Sequence, residues 1–203
     1  MYALKSLYSN VECSVRLNGN MTEWFSVDTG LKQGCILSTV MFNIFINDLV
    51  ENINDLNVGV NIDDDKLAIL LYADDVVLMA ENEKDLQLML DTLNFWCLNN
   101  ELFVNIQKSK VMHFRNPSIP LTKFNFCINS NSLECVSRYQ YLGLLLTEFL
   151  DYQLMAKSVA KSASRALGVL IVKSKAQGGF HYDIFTKLYE TLVWSVINYG
   201  SCI

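Results

Sequence analysis

Residues 70–79 read Leu-Leu-Tyr-Ala-Asp-Asp-Val-Val-Leu-Met, two short apolar runs with an acidic pair between them. The flanks are aliphatic, aromatic or β-branched over strand length, and a small residue followed by aspartates suits a tight reversal. The segment therefore predicts a β-hairpin with carboxylates at its tip. Two neighbouring carboxylates beside apolar strands repel each other and resist desolvation unless a cation neutralises them, and oxygen ligands of this kind suit a hard divalent ion. Acidic residues also suit a solvated turn, and the pair by itself leaves both readings open.

The chain has 203 residues, 51% of them hydrophobic, enough for one substantial domain or for one domain with part of another. No apolar stretch approaches the roughly 20 residues that span a bilayer. Nor is Met1 followed by a charged leader and an apolar core, so the expectation is a soluble, unsecreted protein with no membrane partner. Six scattered cysteines without a Cys-x-x-Cys pair, and only two histidines, His113 and His181, point to reduced thiols in an intracellular setting, nuclear or cytoplasmic. A net charge of −5 sits poorly with nucleic-acid binding, but it is unevenly spread. Residues 151–203 hold six basic side chains against three acidic ones, whereas the preceding part is acidic. An acidic body can hold metals and a basic end can meet phosphates; ordinary surface variation is the other reading.

Periodicity organises the remainder. Val11, Cys13, Val15 and Leu17 alternate before Asn18-Gly19-Asn20, which predicts a hairpin over 11–28. From Ser38, read as an N-cap, Met41, Phe42, Phe45, Ile46, Leu49, Val50 and Ile53 recur at helical spacing, and a helix is expected to about Glu51. Strands are expected at 58–62 and 66–71, joined by Asp63-Asp64-Asp65, which reads as a solvated turn. Asn82 and Asp85 form a capping pattern ahead of a helix to about Asn99. Extended segments follow at 111–114, 124–128, 133–137 and 139–146, with a turn at Asn129-Ser130-Asn131. The pattern is then helical from about 152 to 175, interrupted at Gly178-Gly179, and helical again through Ile184, Leu188, Leu192 and Val196. The expected fold class is α+β, with a mixed body at 1–149 and a helical segment at 150–203.

Four segments, in order, resemble the reverse transcriptases of non-LTR (LINE-type) retrotransposons. Gly30-Leu31-Lys32-Gln33-Gly34-Cys35-Ile36-Leu37-Ser38, followed by 41–49, is similar to the segment these polymerases carry before a helix. Tyr72-Ala73-Asp74-Asp75 resembles their catalytic hairpin, 105–112 their lysine-bearing segment and Tyr139-Gln140-Tyr141-Leu142-Gly143 their primer-grip strand. The pattern of 189–200 is similar to the helix after their thumb. The resemblance implies a partial polymerase palm, an antiparallel sheet with packed helices, followed by a thumb-like helical segment. It further implies RNA-directed DNA synthesis with an RNA template, a DNA primer and deoxynucleoside triphosphates as partners.

Such enzymes use two Mg²⁺ ions about 4 Å apart, bridged by carboxylates. On that correspondence Asp74 is the ligating aspartate and Asp75 the second aspartate of the metal site. Gln33 and Gly34 meet the templating pair, Tyr72 and Gly143 contact substrate, and Lys108 meets the triphosphate as a fixed charge or proton donor. Lys157, Lys161 and Arg165, four residues apart, share a helical face that suits a duplex backbone, or a solvated surface. Two departures stand out. Ile36 and Thr39 occupy positions where the family often has proline, and the family's first metal-binding aspartate has no match in residues 1–29, where Asp28 is a poor candidate. The expectation is an incomplete two-metal site, with the upstream palm strand and fingers missing and this fragment inactive alone. A non-catalytic RNA or RNA·DNA-binding remnant, or a remnant with no nucleic-acid role, are the alternatives.

Overall fold

Local sequence signals account for most of the elements in the computed structural model, which describes residues 2–32 and 34–201. A short helix α1 (Tyr2–Tyr8) precedes two nested antiparallel pairs: β1 (Glu12–Cys13) pairs with β4 (Phe25–Ser26) and encloses β2 (Arg16–Leu17) paired with β3 (Asn20–Met21). Asn18 and Gly19 turn this hairpin with φ of +50 and +88, the double left-handed conformation that Asn-Gly adopts at least cost. The hairpin predicted over 11–28 is present.

Helix α2 (Ile36–Asn54) begins two residues before the expected N-cap. Cys35 occupies the cap position, and its thiol accepts from the Tyr8 hydroxyl at 3.9 Å. Ser38 lies buried inside the first turn, because its hydroxyl is engaged elsewhere. By length and composition α2 is apolar enough to cross a membrane, the one such helix among the described residues. Its Ile46, Leu49 and Ile53 are instead buried within the protein at i, i+3 and i+7.

The acidic loop at 63–65 is tighter than expected: β5 (Val60–Ile62) and β6 (Asp65–Leu67) pair directly, with Asp63 at φ +52 in the turn. The chain then breaks at buried Ala68 before β7 (Ile69–Tyr72), which pairs with β8 (Asp75–Leu78). Helix α3 (Glu83–Asn99) is capped as its sequence predicts: the Asp85 amide donates to Asn82 Oδ1 at 3.0 Å and the Asn82 amide group to Asp85 Oδ2 at 2.7 Å. Met89, Leu90, Leu93 and Trp96 of α3 are buried, and the Phe45 ring of α2 meets the Trp96 ring at 5.4 Å.

The later strands are short. β9 (Lys110–Val111) pairs in parallel with β12 (Glu134–Cys135), and β10 (Cys127–Ile128) pairs with β11 (Asn131–Ser132) across Asn129 and Ser130. The single strand expected at 139–146 is instead a hairpin, β13 (Arg138–Tyr141) with β14 (Leu144–Thr147), because Leu142 and Gly143 both turn left-handed, at φ +46 and +82. Asp151 accepts from the Gln153 amide and caps α4 (Tyr152–Ala176), which ends where Gly178 and Gly179 donate back to Lys175 and Ser174, the glycine-dependent helix stop. Helix α5 (Tyr182–Tyr189) continues through a π-helical turn at Glu190–Trp194 into α6 (Ser195–Asn198). Ala163, Leu170 and Val193 form the buried centre of this helical part.

The fold is thus α+β, with helices and two-stranded sheets, all but one of them antiparallel among the described residues. It divides into two compact units, Met1–Trp96 and Cys97–Ile203. Within the second unit α4 packs on β14.

Candidate functional site

The β7–β8 hairpin sets the geometry at its tip. Tyr72 pairs with Asp75, leaving Ala73 and Asp74 as a two-residue turn, and Ala73 takes φ +52 as primed hairpin turns require at their first position. Alanine in that region costs roughly 1–2 kcal/mol, a strain the ladder below must hold. The ladder continues past the strand, with the Met79 amide donating to the Ala68 carbonyl at 2.8 Å, and Ala68 and Ile69 anchor its base in the core. All four tip residues, Tyr72, Ala73, Asp74 and Asp75, are exposed. Their apolar base and polar tip follow directly from the sequence pattern.

An open hollow of about 720 Å³ is lined by Ala73 and Asp74 together with Gly34, Cys35, Ser38 and Phe42 from the start of α2 and the loop before it. Ser38 holds that loop. Its hydroxyl donates to the Lys32 carbonyl at 2.9 Å and lies 2.8 Å from the Tyr8 hydroxyl, while Lys32 Nζ donates to the Leu7 carbonyl at 2.7 Å. Gly34 sits at φ +80 with open space where a Cβ would be, so the backbone conformation and not crowding calls for glycine there. The Cys35 thiol is held below its usual range, chiefly by the Ser38 backbone amide and then by that of Leu37, as expected for a sulfur at a helix N-terminus. Cys35 and Ser38 were not foreseen as parts of this hollow, although both stand in the 30–38 segment that the resemblance singled out.

Gly34 and Asp74 are therefore brought to one hollow, with Tyr72 and Asp75 beside it on the hairpin. Gln33 lies outside the described residues. Asp63, Asp64 and Asp65 are exposed on the separate β5–β6 hairpin.

The remaining predicted residues belong to the second unit. Lys108 is exposed at the end of a turn in which its amide and that of Ser109 donate to the Asn105 carbonyl, and the Tyr139 hydroxyl of β13 donates to the Lys108 carbonyl at 3.2 Å. Gly143 occupies the β13–β14 turn. Lys157, Lys161 and Arg165 are exposed along α4, and none of them enters an ion pair among the described residues; Arg165 donates to Ser162 Oγ at 3.0 Å.

Asp74 and Asp75 suit Mg²⁺ in kind, since that ion takes hard oxygen donors and is commonly held by one or two carboxylates together with waters and substrate phosphates. Among the described residues no three His, Cys, Asp or Glu side chains cluster as a metal cage. The pair fits one side of such a site.

The sequence pattern of the family described as "Reverse transcriptase (RNA-dependent DNA polymerase)" matches residues 2–146. The chain is 27% identical over 151 residues to the "Retrovirus-related Pol polyprotein from type-1 retrotransposable element R2" of Popillia japonica, covering 71% of this chain and 24% of that protein. It is 22% identical over 196 residues to the "RNA-directed DNA polymerase from mobile element jockey" of Drosophila funebris, covering 94% of this chain and 21% of that protein. A third relative is the "Transposon TX1 uncharacterized 149 kDa protein" of Xenopus laevis, 27% identical over 108 residues, 52% of this chain and 8% of that protein. The chain spans about a quarter or less of the length of these relatives.

Proposed function

Starting from the premise that this chain belongs to the reverse transcriptase (RNA-dependent DNA polymerase) family, of the LINE type, we propose that it forms the back half of a polymerase palm with part of a thumb. The activity it serves is RNA-templated DNA synthesis from a DNA primer and deoxynucleoside triphosphates. One observation carries the reading: the strained Ala73-Asp74 turn meets the Gly34 loop at a single open hollow.

In this reading Asp74 and Asp75 hold Mg²⁺, which when bound would activate the primer hydroxyl and stabilise the leaving pyrophosphate. The chain's own residues do the positioning. Gly34, with no side chain in the hollow, lets the backbone approach the templating pair, and Gln33 beside it offers both a donor and an acceptor. Tyr72, exposed and paired with Asp75, offers a ring beside the carboxylates. Lys108 brings a charge to the triphosphate, and Gly143 turns the hairpin that meets the primer. The palm part is 1–149 and the thumb-like part 150–203. We assign the site of action to the cell interior, nucleus or cytoplasm.

Residues 1–203 by themselves do not extend a primer in this reading, because Asp74 and Asp75 supply too few carboxylates for two metal ions. An upstream palm strand and fingers, supplied from a relative by fusion or in trans, complete the site in this reading.

A second reading, binding to RNA or an RNA·DNA hybrid without chemistry, is favoured by the exposed basic face of α4, which forms no ion pair among the described residues. Changing Lys157, Lys161 and Arg165 together to Gln weakens hybrid binding independently of sequence and flattens its logarithmic salt dependence by roughly one unit per lost phosphate contact. Fluorescence anisotropy across a salt series measures both. An unchanged slope would return this face to bulk solvent and leave the hollow as the sole support for nucleic-acid binding.

A further inference from the structure

Gly143 is glycine for two reasons. Its φ of +82 lies in the left-handed region, and a Cβ there would stand 3.2 Å from Cε1 of Tyr199, closer than ordinary contact. That tyrosine arrives from the far end of the chain, immediately after α6. Its hydroxyl donates to the carbonyl of Leu142, the other turn residue. Gly200 completes the approach, since a Cβ on it would lie 2.5 Å from Cδ2 of Leu144 and 3.2 Å from Cε of Met155. The Tyr199-Gly200 backbone is thus fitted against the start of β14 and the first turn of α4.

The turn needs that support. With φ of +46 at Leu142 and +82 at Gly143 it has the double left-handed form that Asn-Gly adopts readily. Leucine in the first position is strained, and such strain persists only where surrounding contacts over-determine it. A solvent-facing turn carbonyl would lack any fixed partner; here the tyrosine hydroxyl supplies one.

We infer that Tyr199 is a positioning residue that fixes the Leu142–Gly143 turn, and through it ties the C-terminal helices to the hairpin that meets the primer end. The inference rests on the reading of Gly143 as a primer-side contact. It makes the end of the helical segment part of the substrate-holding apparatus and not only a packing element.

The test uses Tyr199→Phe, which keeps the ring and removes the hydrogen bond, and the double variant Leu142→Asn/Tyr199→Phe, in which the turn no longer needs the bond. Hydrogen exchange at the Tyr141 and Leu144 amides is read in residues 1–203 without nucleic acid. Binding is read as the preference for an RNA·DNA hybrid with a recessed primer 3′ end over a blunt hybrid. Tyr199→Phe is expected to speed exchange at these amides about fivefold and to reduce the recessed-end preference by a similar factor, in line with the loss of one net hydrogen bond. Blunt-hybrid affinity stays unchanged, and the added Leu142→Asn restores both quantities.

Unchanged exchange in Tyr199→Phe overturns the inference, as does loss of blunt and recessed binding in equal measure together with a lower melting temperature, which marks a purely structural residue. Should the unaltered chain bind no hybrid at all, the palm reading falls, and exchange alone decides whether Tyr199 sets the turn.

Discussion

Asp74→Asn eliminates RNA-templated primer extension in a polymerase-length protein that joins residues 1–203 to the fingers and first palm strand of a relative. The expected loss is roughly a thousandfold or more, since a ligating carboxylate contributes several kcal/mol of transition-state charge stabilisation through the ion it holds. Asparagine keeps the size and one oxygen but removes the charge, and the turn is undisturbed because asparagine suits tight turns as well as aspartate does. The control is Asp63, Asp64 and Asp65 changed together to Asn. That triple removes more charge from the same unit, yet it acts on the exposed β5–β6 hairpin and leaves most activity in place. Equal damage from the two would mean that overall acidity, not the carboxylate at the hollow, supports synthesis. Steady-state extension on poly(rA) with oligo(dT) separates the cases, and residues 1–203 alone are the comparison, expected to give no extension.

The hairpin that bears Asp74 was legible because local signals agree there: two apolar, β-forming flanks of strand length and a small, acidic reversal between them. The same holds for Asn18-Gly19, for the Asn82 cap and for the Gly178-Gly179 stop, where the residue type dictates the backbone. Reading failed where a tertiary contact overrode local preference. Ser38 looked like a cap by composition, but Lys32 and Tyr8, six and thirty residues away, claim its hydroxyl, so α2 starts earlier. Residues 139–146 looked like one strand, since Leu-Gly carries no strong turn signal. The Leu142 carbonyl there accepts from the hydroxyl of Tyr199, 57 residues away, a contact that no window of local sequence contains.

Leu49→Ala should cost the first unit about 3 kcal/mol. Leu49 is 0% exposed, as is Ile53 one turn further along, while Phe45 one turn earlier packs its ring against Trp96. Removing three buried carbons there forfeits their transfer free energy and leaves a cavity that α2 cannot readily close, because its neighbours along the helix are tied at both ends of the core stripe. On the same helix Val40 is 51% exposed, so Val40→Ala should stay within about 0.5 kcal/mol. Denaturant titration of both variants, followed through Trp96 fluorescence in a Trp24→Phe/Trp194→Phe background, reads the difference. The comparison bears on function as well as stability, since the first turn of α2 carries the Cys35 and Ser38 wall of the hollow while the buried stripe lies further along the same rigid element. If Leu49→Ala proved as mild as Val40→Ala, α2 would not be anchored by this stripe, and the wall facing Asp74 would have no fixed position from which to hold a nucleotide.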